Sequence, residues 1–203
     1  MKLKYLTFDV NFATIAILIG LAWLLFLCHM ACGAEVRISD QGRKILIENF
    51  EGCQKYLGND KYTTYLCPAK VKTIGFGNCS HAKTGLVIDK ATCRVYLMED
   101  CAKFEKYVGS IISRKMQWHE ADALVSFSFN LGKRITGDLR QYIETGKTQA
   151  VKAKINLYCR AKVNGVLTEL RGLKRRRTAE ANWYEKGDTN QNSLLEKRGR
   201  GDL

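Results

Sequence analysis

Between Val10 and Ala34 the chain carries no charged residue, and Phe12 to Cys28 ("FATIAILIGLAWLLFLC") is almost wholly apolar. Those 17 residues are close to the shortest helix that spans a bilayer. Lys2 and Lys4 precede the run, so the positive-inside bias leaves the amino terminus in the cytoplasm and exports everything from Glu35 onward. Length and composition permit three fates: cleavage at the small-residue stretch "ACGAE" (Ala31 to Glu35), a permanent anchor, or an anchor weak enough to leave the bilayer again. The marginal apolar length, broken by Thr14 and Gly20, is compatible with the last of these.

Export changes the meaning of the eight cysteines. A zinc site needs closely spaced ligands, yet the only close pair, Cys28 and Cys32, lies in the apolar segment, and the chain has three histidines in all. Disulfides in an oxidising compartment are the better expectation, with neither metal nor organic cofactor. The balance of 33 Lys and Arg against 20 Asp and Glu gives a net charge of +13, which favours a polyanionic neighbour such as nucleic acid, an anionic membrane face or a cell wall. An exported protein meets no cytoplasmic nucleic acid, so "LKRRR" (Leu173 to Arg177) is expected to spread its charges around a helix and not to bind RNA or DNA.

After the anchor the patterning divides in two. Apolar residues at Ile45, Leu46, Ile47 and Phe50, with Ser39 or Asp40 placed to cap, predict a short helix ending near Gly52. Residues 62–77, rich in Thr, Tyr, Val, Ile and Phe, predict a short antiparallel sheet. Helices are then expected from the Asp89 cap to about Ser113, over Trp118 to Gly132 as the buried centre, and near Leu139 to Arg160 and Lys174 to Tyr184. The expected organisation is therefore a transmembrane signal-anchor over 1–34, one α+β domain over 35–185 with a small sheet lobe against a mostly helical lobe, and a flexible polar tail over 186–203. A cleft between the two lobes is the natural place for chemistry.

The order helix, Glu51-Gly52, sheet, "TIGFG" resembles the phage-type lysozymes, the endolysin family that cuts peptidoglycan; "SFSFNLG" and "GLKRRRTAEANW" are similar to its later signatures, so the likeness covers roughly Ile38 to Tyr184. The resemblance implies a lysozyme-like fold and muramidase activity on the β-1,4 bond between N-acetylmuramic acid and N-acetylglucosamine. It implies Glu51 as general acid, Cys67 as base or nucleophile in the position many members fill with Asp, Thr73 positioning water, and Phe129 and Asn130 in the substrate cleft. The "YLCPA" stretch resembles the branch in which that middle residue is Cys. In that branch a signal anchor is later released. The likeness to it implies that Cys53 blocks Cys67 in a disulfide until an anchor thiol, Cys28 or Cys32, exchanges into the bond. On this view the protein is a monomer, tethered to the host inner membrane with its catalytic domain in the periplasm, and then released there.

Elementary chemistry is consistent with such a site. Glycoside hydrolysis needs a proton donor at the leaving oxygen and a second group across the ring, and a thiolate supplies charge and basicity there in place of a carboxylate. Glu48, one turn earlier, is the competing acid but lacks the glycine that ends the helix at the sheet. Cys79, Cys93, Cys101 and Cys159 remain as structural staples. Cys93 and Cys101, roughly 12 Å apart on one helix, cannot pair with each other, which leaves 79 to 93 with 101 to 159, or 79 to 101 with 93 to 159. Two further departures matter. The 15 residues between Glu51 and Cys67 exceed what the family usually has, so "LGNDKYTT" is expected to bulge as a hairpin. Asn78 stands where many members have His, leaving any such support to His81. The rival expectation is a non-catalytic, membrane-tethered cationic wall-binding protein in which the Cys53 to Cys67 bridge is a permanent staple.

Overall fold

The computed structural model describes residues 35–67 and 70–186. The expected anchor with Cys28 and Cys32, and the polar tail beyond Lys186, lie outside the described residues. Among the described residues no helix is long and apolar enough to cross a membrane.

The first helix, α1, starts as an α-turn over Asp40–Gly42, widens into a π-helical stretch over Arg43–Glu48 and closes as α-helix over Asn49–Glu51. Ser39 caps it, its hydroxyl accepting from the Gly42 N–H. Gly52 ends it with φ of 63°, a conformation that costs glycine least. Strands β1 (Tyr56–Gly58) and β2 (Lys61–Thr63) form the hairpin expected from "LGNDKYTT", turning through Asn59 and Asp60, both at positive φ. The sheet is not the single piece expected over 62–77: β2 pairs on its other side with β5 (Val87–Asp89), while β3 (Tyr65–Leu66) and β4 (Lys72–Thr73) make a separate antiparallel ladder.

Asp89 caps α2 (Lys90–Ile111), accepting from the Thr92 N–H. Helix α3 (Trp118–Leu131) opens with a capping box of Gln117 and Glu120 and is the buried centre expected of it. The stretch expected as one helix to Arg160 is instead α4 (Gly137–Glu144) and α5 (Thr148–Asn156), broken at Gly146 with φ of 65°, followed by a hairpin of β6 (Arg160–Val163) and β7 (Val166–Glu169). Asn164 and Gly165 turn that hairpin with φ of 49° and 83°, the conformations an Asn-Gly pair adopts most readily. Helix α6 (Arg171–Lys186) packs back onto α3 and α5.

Two cores result. One gathers Leu46, Val108, Leu124, Phe127, Ile143 and Trp183 among the helices. The other joins Ile47, Tyr62, Ile74, Phe76, Ile88 and Leu97 beneath the sheet. Leu46 and Ile47, adjacent on α1, enter different cores, and α2 supplies Cys93, Leu97 and Cys101 to one and Val108 to the other. The acid at the end of α1 is thereby fixed at the seam.

Candidate active site

Glu51 is the last residue of α1 and lines a cavity of about 290 Å³ with Phe76, Asp100, Phe104, Phe129 and Asn130. Phe129 and Asn130 line the same cavity as Glu51. Phe129 meets Phe104 edge-on at 5.7 Å between centroids, and Asn130 Oδ1 accepts from Arg177 at 2.7 Å. The side chain of Glu51 keeps 26% of its surface exposed and is gripped by Arg176, whose Nη1 lies 2.5 Å from Glu51 Oε1.

That grip belongs to a buried charge network. Arg176 Nε also reaches Glu180 Oε1 at 3.2 Å, Arg177 Nη1 lies 3.1 Å from Glu180 Oε2, and the Ser126 hydroxyl lies 2.7 Å from Glu180 Oε1 and 3.0 Å from the Leu46 carbonyl, sharing its proton between them. Burial pushes the Glu180 carboxyl above its ordinary range against the pull of Arg177 and Arg176, and burial pushes Arg177 down. The expectation for "LKRRR" needs correction here: Arg176 and Arg177 are 4% and 0% exposed and hold the cleft together, and only the other charges of the run face solvent. The spacing of Glu180 three and four residues after these arginines was the available signal.

Glu48 is not the cleft acid. It is buried and ion-paired to Arg43 and, at 3.2 Å, to Arg94, on the side of α1 away from the Glu51 cavity.

Cys67 follows β3, its N–H donating to the Val71 carbonyl at 3.0 Å, so the ladder continues one pair beyond Leu66 and Lys72. Strand alternation puts Tyr65 and Cys67 on one face, with Thr73 directly opposite Tyr65. Thr73 is buried; its hydroxyl donates to the Val71 carbonyl at 3.0 Å and lies 3.7 Å from Cys79 Sγ. Tyr65 was not singled out from sequence. Burial, then the nearby Cys67 and Glu51, then Cys79 and Cys53, all push its phenol above the ordinary value, which keeps it protonated among the acid and the thiols. Asn78 is buried and ties the rim together: its amide donates to Asp100 at 2.8 Å, and its oxygen accepts from the His81 N–H at 2.9 Å.

Among the described residues no disulfide is formed. Cys79 is exposed beside Thr73, Cys93 and Cys101 are both in the sheet-side core, and Cys159 is buried against Glu169 Oε2 at 3.6 Å. Cys53 packs against the sheet-side core that holds Cys93, and burial pushes both thiols above their ordinary value.

A helix-end carboxylate facing a cleft between a small sheet and a helical lobe defines a lysozyme-class glycoside hydrolase. Residues 48–180 match the phage lysozyme family. An endolysin of Acyrthosiphon pisum secondary endosymbiont phage 1 is 30% identical over 152 residues, spanning 74% of this chain and 99% of that protein. Among solved structures, the endolysin from Escherichia coli O157:H7 phage FAHEc1 superposes with a TM-score of 0.68 at 25% identity, over 78% of this chain and 99% of its own. The muramidase domain of SpmX from Asticcacaulis excentricus shares the fold, with a TM-score of 0.65 at 24% identity over 73% of this chain and 97% of its own. The chain belongs to the phage lysozyme family. It is a lysozyme, a glycoside hydrolase acting in cell-wall lysis, which sets aside the non-catalytic wall-binding alternative.

Proposed function

We propose that this lysozyme hydrolyses the β-1,4 bond between N-acetylmuramic acid and N-acetylglucosamine, with Glu51 as general acid, Cys67 as base or nucleophile and Thr73 positioning water. The observation that carries the reading is Glu51 itself, presented to the cleft by the end of α1 and oriented by Arg176. Protonated Glu51 gives its proton to the leaving oxygen, and the Arg176 guanidinium stabilises the carboxylate that remains. The charge developing on the sugar is met from the sheet side, where Cys67 activates water or attacks. The net charge of +13 favours approach to an anionic wall.

The proposal extends to control. Before release, Cys53 is disulfide-bonded to Cys67 and blocks it. The marginal apolar segment then leaves the membrane, bringing Cys28 or Cys32 into water, where the thiol ionises and exchanges into that bond. A thiol held in hydrocarbon is protonated and inert, so membrane position sets the state. The eight cysteines and the short apolar run support this course. Turbidity loss of isolated walls, measured with and without mild thiol, tests both parts. Thiol-dependent lysis abolished by Glu51→Gln is expected. Full lysis by Glu51→Gln refutes the acid, and lysis by fully exported, Cys28→Ser/Cys32→Ser protein without thiol refutes the switch.

A further inference from the structure

The β6–β7 hairpin takes no part in the chemistry: none of its residues lines the Glu51 cavity, and its strands pair only with each other. Every residue from Lys162 to Glu169 is exposed. Val163, Val166 and Leu167 keep 42%, 66% and 61% of their surface in solvent, and Leu157, just ahead of the hairpin, keeps 67%. Four of the twelve exposed large apolar side chains among the described residues thus fall within residues 157–167, a concentration that marks an interaction surface. The register orders them along the ribbon. Val163 stands opposite Val166 at the tip, Lys162 opposite Leu167 one rung back, and Arg160 opposite Glu169 at the root. At about 3.3 Å per residue, Lys162 stands roughly 3 Å and Arg160 roughly 10 Å behind the valine pair. Glu169 is ion-paired with Lys174 at 2.8 Å, so the acid at the root is already answered and Arg160 and Lys162 leave the hairpin positive.

We infer that this hairpin is a docking surface for an anionic lipid bilayer, which it enters tip first. The headgroup layer of one leaflet is about 5–7 Å deep. With the valine rung at the acyl boundary and Leu167 beside it, Lys162 lies among the headgroups and Arg160 at their outer edge, each able to reach lipid phosphate along its own stem. The apolar tip alone suits any bilayer; the two cations behind it select a negative one. Charge also decides against a second copy of the chain, which would bring its own Arg160 and Lys162 to the same ribbon on a protein of net charge +13. A glycan strand finds no aromatic ring on the hairpin to stack against. Docking here requires neither the reaction nor the thiol exchange proposed above.

The test uses the full chain mixed with vesicles of phosphatidylethanolamine and phosphatidylglycerol, three to one, or of phosphatidylcholine alone. Vesicle-bound protein is isolated by flotation, and amide exchange across residues 160–169 is read by mass spectrometry. The apolar amino-terminal segment is present with both kinds of vesicle, so the difference between them reports the hairpin. Where the chain floats with the anionic vesicles alone, the free chain is the reference. Each cation near a negative surface is worth about fivefold, so exchange from Val163 to Leu167 should be slower by up to roughly 25-fold on the anionic vesicles. Arg160→Gln/Lys162→Gln should erase that difference, and Val166→Ser/Leu167→Ser should remove the slowing altogether. All four side chains are exposed, so both variants should melt with the wild type, which separates lost docking from lost folding. Equal wild-type exchange on the two kinds of vesicle overturns the proposal, as does a chain that floats with neither. Slowing that survives Val166→Ser/Leu167→Ser, or that grows with protein density on phosphatidylcholine and so reports a second copy, overturns it as well.

Discussion

Arg176→Met isolates the contribution of the guanidinium that bridges two carboxylates. Methionine fills part of the space and removes the charge, leaving Glu180 with no exposed surface and one cation fewer. Breaking a buried pair costs about 3–5 kcal/mol. The low end applies because Arg177 and the Ser126 hydroxyl still serve Glu180. The Glu51 pair, with a quarter of the acid's surface in water, adds at most about 1 kcal/mol. For a chain of this size each kcal/mol is roughly 2–4 °C, so a loss of about 3 kcal/mol lowers the midpoint by roughly 6–12 °C in a circular-dichroism melt. An acid freed from its tether moves by fractions of an ångström or more, which costs up to about 10²-fold in the turbidity assay. Adding Glu180→Gln should lower stability further, because Arg177, with no exposed surface, then loses its carboxylate, but by less than the sum of the two single losses, because the Arg176 to Glu180 pair counts in both; activity stays low while Glu51 is unheld. An Arg176→Met protein melting with the wild type, or a double variant whose losses simply add, would refute the account of the network.

Other outcomes follow from the same geometry. Glu51→Gln should lower lysis by about 10² to 10⁴ with little change in melting, whereas Glu48→Gln, which leaves Arg43 and Arg94 without their carboxylate, should lose stability first, both read by paired melts and turbidity. Gly42→Ala places a methyl group 2.3 Å from Asp122 Oδ2, the carboxylate that holds Ser39 and Trp183; the crowding should cost about 1–3 kcal/mol in urea unfolding. For Glu120, burial works to raise the carboxyl, but the Arg114 pair and the Gln117 N–H outweigh it and hold it below the ordinary value. Its stabilisation is therefore full above the ordinary carboxylate range and is lost as pH falls through the depressed value. Melts of Glu120→Gln should show a shallower acid limb than the wild type.

Much of this architecture is local in origin, and local features are the ones a chain displays openly. The Ser39 cap, the stop at Gly52, the Asp89 cap and the apolar face of α3 each arise within a few residues, and each lies where the pattern places it. The β6–β7 hairpin is also local, turned by Asn164-Gly165, but its strands are four residues each and almost wholly exposed, so they show no buried alternation to read. The buried arginines are different. Lys174 to Arg177 look solvated because the carboxylate that claims Arg176 lies 125 residues earlier in the chain, and no window shows it. Tyr65 was hidden for a related reason: its setting depends on pairing with Thr73 and on α1 arriving from another element.

Helix α2 runs from one core into the other, and this has a mechanical consequence. A rod rooted in both lobes can bend or tilt, but it does not let either lobe shed its packing while the other stands. Amides along its length, from Leu97 to Val108, should therefore exchange with solvent together and slowly, and the lysozyme should melt in one step.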